Sequence, residues 1–393
     1  MAAGCAEWQH AGVLDTSVYV HFPWCLAKCP YCDFASAAIK RAEVPHRDYA
    51  GAIVRELEAR APLLAERRLV SVFFGGGTPS LWDPRELGRV LAAIRGAFRS
   101  EAPDLEVTVE CNPTSLDRPK AAALRDEGVT RLSIGVQSLD EGRLRYLGRL
   151  HDSEGALRAL RGAVAEMPRV SGDLMFGMPG QKPDDLASEI ERVLETGVRH
   201  VSAYALTIEP DTQFGALHRK GKLPVAPEDD YADAFLRAEE LFRSRGLAHY
   251  EVSNYAVEGE EARHNLHYWR GGDYLGLGAG AVGCLSRADR SAHRTKNEPR
   301  PERYMARPAD AVAFEETLGP EDRVREALML GLRTAAGIDL DDIEARTGVD
   351  PRAERERVIA RRAERGDVVL EGARLRVPAE RWLMLDSIVT DLF

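Results

Sequence analysis

The feature that most constrains the fold is a sixfold alternation of apolar, β-branched segments with segments of helical periodicity. Strands are predicted at 18–22, 70–74, 105–109, 132–136, 173–176 and 201–206. Helices are predicted at 49–64, 86–98, 120–127, 154–166, 184–194 and 231–243. Such alternation implies parallel strands joined by right-handed crossovers, in either an open doubly wound sheet or most of a barrel. In both folds ligands bind at the carboxyl ends of the strands, so functional side chains are expected there.

Three of the six cysteines, Cys25, Cys29 and Cys32, form a C-x3-C-x2-C triplet. Clustered thiolates on one loop can converge on a metal. A structural zinc site closes with four ligands, often as two C-x2-C pairs, and no second pair follows here. A [4Fe–4S] cluster normally takes four thiolates, so three would leave one iron open to a ligand. The triplet therefore favours a cluster, and a zinc-stabilised interaction protein is the alternative.

Polar residues and glycines follow the predicted strands. Glycines at 75–77 would let a ligand approach the backbone closely, although a tight turn explains such a run equally well. Glu110, Gln137, Arg149 and Asp173 lie at or just beyond strand ends. As a set they could bind a molecule that has a carboxylate, ribose hydroxyls and a base. The guanidinium of an arginine binds carboxylates, and Glu or Asp accepts hydrogen bonds from hydroxyls. The alternative for each is a helix cap or a solvated ion pair.

The segment from His264 to Trp269 places two imidazoles beside two aromatic rings. A structural histidine is one interpretation of it. The other is a haem contact, with His264 as axial ligand and the aromatic rings as part of an apolar pocket.

The pattern changes after about residue 250. A glycine-rich stretch at 271–280 precedes a segment rich in Arg, Pro and His, and a helical region follows that ends in a hairpin-like stretch at 368–377. Helices with a terminal hairpin are typical of a winged helix, and the arginine-rich run 352–365 is interpreted as a solvated helix face. We predict a leader at 1–16, a core at 17–250 and an accessory domain at 251–393.

Charge and hydropathy exclude several classes of partner. The 53 Lys+Arg against 63 Asp+Glu give a net charge of −10, which argues against recruitment of nucleic acid by bulk charge. No apolar run is long enough to span a bilayer, and the amino end carries no secretory signal. The sequence therefore predicts a soluble, cytoplasmic protein.

The cysteine triplet, the Gly-Gly-Gly-Thr-Pro segment at 75–79 and the βα pattern resemble the radical S-adenosylmethionine (SAM) family. More narrowly, segments 19–25, 110–113, 132–137 and 173–180 resemble the anaerobic coproporphyrinogen III oxidase group, and the resemblance extends from Tyr19 to the end. It implies an α/β fold: a partial (β/α)6 TIM-like barrel with a mostly helical, winged-helix-like accessory domain.

By this resemblance, Cys25, Cys29 and Cys32 hold the [4Fe–4S] cluster, and the amino and carboxylate groups of SAM chelate its fourth iron. The positions that match SAM contacts are Tyr19, Tyr31, Gly76, Gly77, Thr78, Glu110, Gln137, Arg149 and Asp173. In the family's general chemistry the reduced cluster cleaves SAM to methionine and a 5′-deoxyadenosyl radical.

Two departures separate the chain from the oxidases. Phe34 stands where the oxidases carry a further cysteine, and the oxidases' porphyrinogen-binding amino-terminal extension is absent. The motif beginning at His264 is instead the mark of the haem chaperones of this family. The resemblance thus implies a chaperone that binds haem through His264 and passes it to apo-haemoproteins such as respiratory-chain subunits. Oxygen-independent oxidation of coproporphyrinogen III is the alternative, and a homodimer or peripheral membrane contact is compatible with either.

Overall fold

The computed structural model describes residues 13–393. Its strands are β1 (Leu14–Phe22), β2 (Trp24–Cys25), β3 (Ala37–Ala38), β4 (Arg67–Gly76), β5 (Ser100–Cys111), β6 (Arg131–Gln137), β7 (Arg169–Phe176), β8 (His200–Ala205), β9 (Ala248–Glu251), β10 (Asn254–Ala256), β11 (Asp273–Leu277), β12 (Val282–Ser286), β13 (Ala292–Asn297), β14 (Val312–Leu318), β15 (Ile338–Asp339), β16 (Val369–Glu371) and β17 (Arg374–Arg376). Its α-helices are α1 (His46–Arg60), α2 (Pro84–Ala97), α3 (Arg118–Asp126), α4 (Glu141–Tyr146), α5 (Ser153–Glu166), α6 (Pro183–Leu194), α7 (Gln213–Arg219), α8 (Glu228–Ser244), α9 (Arg263–Trp269), α10 (Pro301–Ala306), α11 (Pro320–Gly331), α12 (Leu340–Thr347), α13 (Glu356–Glu364) and α14 (Leu385–Thr390).

Twelve strands form one mixed sheet, in the order β14-β13-β12-β11-β1-β4-β5-β6-β7-β8-β10-β9. The strands β1, β4, β5, β6, β7 and β8 pair in parallel and in chain order, as the βα alternation predicts. The predicted α/β fold is therefore confirmed, and the sheet is open. It does not close because β11 pairs with the outer edge of β1 and β10 pairs with that of β8.

The two faces of the parallel strands differ in polarity because successive side chains alternate between them. The outer face packs against the helices in one apolar core, for example through Val18, Val72 and Leu132, each 0% exposed. The inner face carries buried polar residues instead. These are Ser17, Ser71, Glu106, Thr108, Arg131, Ser133, Ser171, His200 and Ser202.

Residues beyond β8 extend the sheet in a way that the sequence pattern did not indicate. The glycine-rich stretch contains β11, which pairs in parallel with β1. A Cβ atom on Gly276 would lie 2.2 Å from the carbonyl oxygen of Val282, so glycine permits the close β11–β12 approach. The large sheet continues to Leu318. It therefore extends beyond residue 250, where the predicted core domain ends.

The carboxyl-terminal part has its own apolar core, which runs from Val324 to Leu392. Its elements follow the order α11, β15, α12, α13, β16, β17, with a three-stranded sheet in the order β15-β17-β16. This order agrees with the predicted winged-helix-like arrangement. The unit docks on the large sheet through backbone hydrogen bonds, from Val252 N to Arg333 O and from Ala335 N to Tyr250 O.

The interpretation of residues 352–365 as a solvated face is wrong for two arginines. Arg355 and Arg362 are buried, at 4% and 6% exposure. Arg362 pairs with Asp367 at 2.9 Å and with Asp391 at 2.7 Å. One carboxylate close in sequence and one 29 positions away therefore compensate the buried charge.

Among residues 13–393, no helix is both long and apolar enough to cross a bilayer. Most of the predicted leader at 1–16 lies outside the described residues, as does Cys5.

Candidate functional site

A cavity of about 510 Å³ lies at the carboxyl ends of the parallel strands. The predicted site residues that line it are Cys25, Cys29, Tyr31, Cys32, Gly76, Gly77, Thr78, Glu110, Gln137, Arg149 and Asp173. Tyr19 and His264 are not part of this lining. They lie behind Phe73, whose ring faces the cavity. One cavity thus brings the cysteine loop together with the polar residues of four strands.

The cysteine loop follows β1 and is closed by pairing of β2 with β3. Its three thiols are half-buried. The hydroxyl of Thr78 donates to Cys25 Sγ at 3.4 Å, and Arg149 Nη1 donates to Cys29 Sγ at 3.6 Å. Burial raises the pKa of Cys25 and of Cys32, and the hydrogen bond from Thr78 opposes this effect at Cys25. The two donors would stabilise sulfur ligands that become anionic when they bind a metal.

Four thiolates at 2.3 Å around zinc would place the sulfurs about 3.8 Å apart. Within residues 13–393, no three His, Cys, Asp or Glu side chains come together closely enough to hold one ion. The three half-buried thiols that line one cavity could each bind a separate iron of a cluster.

The packing of the protein itself requires glycine at the end of β4. A Cβ atom on Gly76 would lie 2.4 Å from the His21 ring, and one on Gly77 would lie 2.6 Å from the Trp24 carbonyl oxygen. Gly76 also adopts a φ of +106°, which favours glycine. The turn therefore packs tightly against the end of β1, while the other side of the same residues lines the cavity.

Of the four acidic residues that line the cavity, Glu110 and Asp173 have raised pKa values. Burial, followed by repulsion from Asp173, raises the pKa of Glu110 to about 7. Glu110 Oε2 accepts a hydrogen bond from Gly76 N at 3.1 Å. Burial also raises the pKa of Asp173, whose oxygens accept hydrogen bonds from Ser133 at 2.9 Å and from Ser202 at 2.8 Å. Both groups can accept hydrogen bonds from a ligand's hydroxyl or amino groups.

The end of β6 shapes the same wall. Gln137 has a φ of +68°, an uncommon conformation for a residue other than glycine. Such strain tends to occur at functional sites. Arg149 Nη2 donates to the carbonyl of Gly135 at 2.7 Å, which fixes the guanidinium between β6 and the cysteine loop.

A line of rings leads from β1 to α9 behind the cavity wall. The ring of Tyr19 stacks on Phe73 at 6.2 Å, and Phe73 lies 4.9 Å from the ring of His264. His264 Nδ1 hydrogen bonds with Ser71 Oγ at 2.9 Å. Burial, followed by the charges of His267 and Arg131, lowers the pKa of His264 to about 3, so its imidazole is neutral.

Several residues that line the cavity were not identified from the sequence. They are Phe73, Arg131, Ser133, Met175, Ser202 and Asn265. Except for Asn265, these are strand residues at inward-facing positions. A polar residue at every second position of an apolar strand is the signal that could have revealed Arg131, Ser133 and Ser202.

Two family sequence models match the chain. The model of the Radical SAM superfamily matches residues 19–193, and that of the HemN C-terminal domain matches residues 318–383. The first includes the cysteine loop and most of the parallel strands. The second covers most of the unit that has its own core, which runs from Val324 to Leu392.

Curated relatives match over most of their length. The chain is 38% identical over 291 residues to the protein named Heme chaperone HemW of Escherichia coli (strain K12), covering 74% of this chain and 75% of that relative. It is 36% identical over 380 residues to Heme chaperone HemW of Mycobacterium tuberculosis (strain ATCC 25618 / H37Rv), covering 95% and 94%. A mouse protein, "Radical S-adenosyl methionine domain-containing protein 1, mitochondrial", is 38% identical over 332 residues, covering 82% and 74%.

The fold also matches a solved structure. Coproporphyrinogen III oxidase (HemN) from Escherichia coli, described as a radical SAM enzyme, superposes with a TM-score of 0.80 at 23% identity. The match covers 97% of this chain and 90% of the oxidase chain. At this identity the likeness concerns the fold alone.

Proposed function

Because the chain belongs to the HemW family of radical SAM proteins, we propose that it is a haem chaperone, which binds haem and delivers it to apo-haemoproteins such as respiratory-chain subunits. The observation that carries this proposal is the cavity, which has the cysteine loop on one side and α9, with its His264 motif, on the other. Asn265 of that motif lines the cavity directly. A cytoplasmic location and a homodimer belong to the same proposal.

The radical SAM family implies a [4Fe–4S] cluster and SAM. Cys25, Cys29 and Cys32 would hold the cluster, with Thr78 and Arg149 donating to two of the sulfurs. When bound, the cluster and SAM supply one-electron chemistry at the sulfonium.

The cavity wall would hold SAM through contacts of several kinds. Glu110 and Asp173 would accept hydrogen bonds from hydroxyl and amino groups, and Arg149 would attract a carboxylate. The backbone of the turn at Gly76, Gly77 and Thr78 would contact the methionyl part. Tyr19, Tyr31 and Gln137 complete the proposed set of contacts.

His264 would contact the haem. A neutral imidazole with Nδ1 engaged by Ser71 keeps Nε2 available, as iron ligation requires. The ring lies behind Phe73, so a bond to iron requires Phe73 or α9 to move aside.

The test is a haem titration of the anaerobically reconstituted protein, with iron, sulfide and zinc measured on the same sample. We expect stoichiometric haem binding beside an iron–sulfur cluster. In Cys29→Ala the cluster absorbance should vanish while the protein stays folded, because two thiolates do not hold four irons. Zinc without iron or sulfide would instead support the interaction-protein alternative and overturn the cluster.

The oxidase alternative rests on the shared fold, and Phe34 argues against it because the oxidases carry a cysteine at that position. Its side chain is 56% exposed and lines the cavity. An anaerobic assay with reductant, SAM and coproporphyrinogen III separates the two functions. Formation of vinyl product at a catalytic rate would contradict the chaperone proposal.

A further inference from the structure

The floor of the cavity carries an arginine with no acidic partner. Arg131 begins β6, is 3% exposed and lines the cavity. Its Nη2 donates to Ser171 Oγ at 3.0 Å. Among residues 13–393, no carboxylate oxygen lies within 4.0 Å of this guanidinium.

A neighbouring arginine, Arg169, forms the ion pairs that Arg131 lacks. Arg169 stands beside Arg131 in the register of β6 and β7. It pairs with Glu106 at 2.7 Å and with Glu260 at 3.4 Å. Two inward-facing guanidinium groups therefore lie side by side. Carboxylates lie within ion-pair distance of Arg169 only, while Asp173 and Glu110 feel the charge of Arg131 from farther away. A buried cation without a counter-ion is unfavourable unless an anion or a strong acceptor joins it.

The nearby acid Asp173 does not fill this role directly. Ser171 Oγ donates to Ser133 Oγ at 2.9 Å, and Ser133 Oγ donates to Asp173 Oδ2 at 2.9 Å. Asp173 is therefore hydrogen bonded to serine hydroxyls that lie between it and Arg131, and the charge of Arg131 acts on it without a direct hydrogen bond. The other N–H groups of Arg131 stay available to a ligand in the cavity.

A second unpartnered donor comes from α9. Asn265 lines the same cavity, and its side-chain amide makes no hydrogen bond within the part of the chain that the structure describes. His264, the preceding residue, is close enough to Arg131 for the guanidinium charge to lower its pKa. The amide and the guanidinium thus share the floor, where Phe73 and Met175 add apolar surface.

We propose that Arg131 and Asn265 form a carboxylate-binding subsite on the cavity floor, and that this subsite takes a propionate arm of the bound tetrapyrrole. A planar guanidinium binds carboxylates in a bidentate manner, and the amide adds a third donor. A propionate carries its carboxylate on an aliphatic arm, which suits a charged floor beside apolar side chains. This inference rests on the proposed function, because haem is the ligand that brings the propionate.

The test compares haem with haem dimethyl ester, in which both propionates lose their charge. We expect the wild-type protein to bind haem about ten- to a hundredfold tighter than the ester, as charged hydrogen bonds predict. In Arg131→Gln the two affinities should become equal, and Arg131→Lys should restore part of the preference. Asn265→Ala should reduce the preference, and it decides the matter if Arg131→Gln does not fold.

Other outcomes overturn the subsite or its premise. Equal wild-type affinity for haem and ester would overturn the subsite and leave the chaperone proposal standing. No haem binding by the wild-type protein would overturn the chaperone proposal and the subsite with it. If Arg131→Gln weakens SAM binding but keeps the haem preference, the carboxylate at Arg131 belongs to SAM and our assignment is wrong.

Discussion

Arg149 Nη1 lies 3.6 Å from Cys29 Sγ, so a residue that follows β6 contacts the loop that follows β1. The same guanidinium is fixed through Nη2 on the carbonyl of Gly135 at 2.7 Å. A cation held beside a sulfur stabilises the thiolate and, in a bound cluster, the reduced state. The far wall of the cavity can therefore tune the chemistry of the cysteine loop.

Arg149→Gln should make a reconstituted cluster harder to reduce. Loss of the positive charge next to Cys29 leaves the more negative, reduced state less stabilised. The reduction potential, measured by anaerobic titration, should shift to more negative values by tens of mV. The matched control is Arg145→Gln, an exposed residue of α4, which should leave the potential unchanged. Identical potentials in wild type and Arg149→Gln would contradict the role given to this contact.

Binding of SAM should strengthen as pH rises through about 7. The pKa of Glu110 is raised to about 7 by burial and by Asp173, and the carboxylate accepts hydrogen bonds better than the acid. Its ionised fraction then rises from about one tenth at pH 6 to about nine tenths at pH 8. Calorimetric titrations of the reconstituted protein should show affinity that increases up to about tenfold over this range.

Glu110→Gln should bind SAM more weakly and lose this pH dependence, because an amide does not titrate. The exposed Glu43→Gln should keep both the affinity and the dependence. If the affinity of Glu110→Gln for SAM still rises with pH, a different group is responsible for the pH dependence.

The half-buried, neutral imidazole of His264 should contribute to loss of stability in acid. Its pKa is lowered to about 3 in the folded protein, against about 6.5 in the unfolded chain. Below pH 6.5 the unfolded state therefore binds a proton that the folded state excludes, and the free energy of unfolding falls. Between pH 7 and pH 5 this one group accounts for about 2 kcal/mol.

His264→Gln should reduce the loss of stability between pH 7 and pH 5 by that amount, as measured by urea denaturation at both values. His218→Gln, an exposed residue of α7, should leave the loss as in wild type. An unchanged acid response in His264→Gln would mean that His264 is not held in the neutral form.

Replacing Gly77 by alanine should destabilise the protein, whereas the same change at Gly96 in a helix should stabilise it. Gly77→Ala brings a Cβ atom to 2.6 Å from the Trp24 carbonyl oxygen, so the turn must shift. We expect a loss of about 1–3 kcal/mol in the free energy of unfolding. Gly96→Ala in α2, where a Cβ meets nothing within 4 Å, should instead gain about 0.5–1 kcal/mol. A neutral Gly77→Ala would show that the turn adapts easily.

The predictability of the site depends on how local its signals are. The cysteines lie within one loop, and Glu110 and Gln137 end β5 and β6, so spacing and strand ends were enough to find them. Arg131 was missed because its role depends on Arg169 of the next strand taking the available carboxylates. The need for glycine at position 77 likewise depends on Trp24, which no local pattern shows.

The strands of the fold likewise differ in how well the local sequence predicts them. The parallel strands have β-branched runs and intervening helices, which the sequence displays directly. In contrast, β11 contains a glycine and becomes a strand through pairing with β1, more than 250 positions earlier. Its local pattern favours a turn, and only the long-range pairing decides the structure.

In the carboxyl-terminal unit, the burial of Arg362 depends on carboxylates outside its own helix, and this can be tested. Arg362 is 6% exposed and pairs with Asp367 and Asp391 at 2.9 and 2.7 Å. Arg362→Ala removes the nearer cation from both carboxylates, and Asp367 keeps Arg381 at 3.6 Å while Asp391 keeps Arg361 at 3.2 Å. We expect a loss of about 3 kcal/mol in the free energy of unfolding. Urea denaturation gives the size of the loss, and hydrogen exchange over residues 320–393 locates it.

Arg357→Ala is the matched control, since it lies on the same helix α13 with an exposed side chain. Its effect should stay within about 0.5 kcal/mol, as for other surface substitutions. If both variants lose the same small amount, residues 352–365 form a solvated face after all and the buried ion pairs contribute little. If the loss in Arg362→Ala extends to exchange in β4 and β5, the carboxyl-terminal unit and the large sheet unfold together, because the backbone bonds at Tyr250 and Val252 join them.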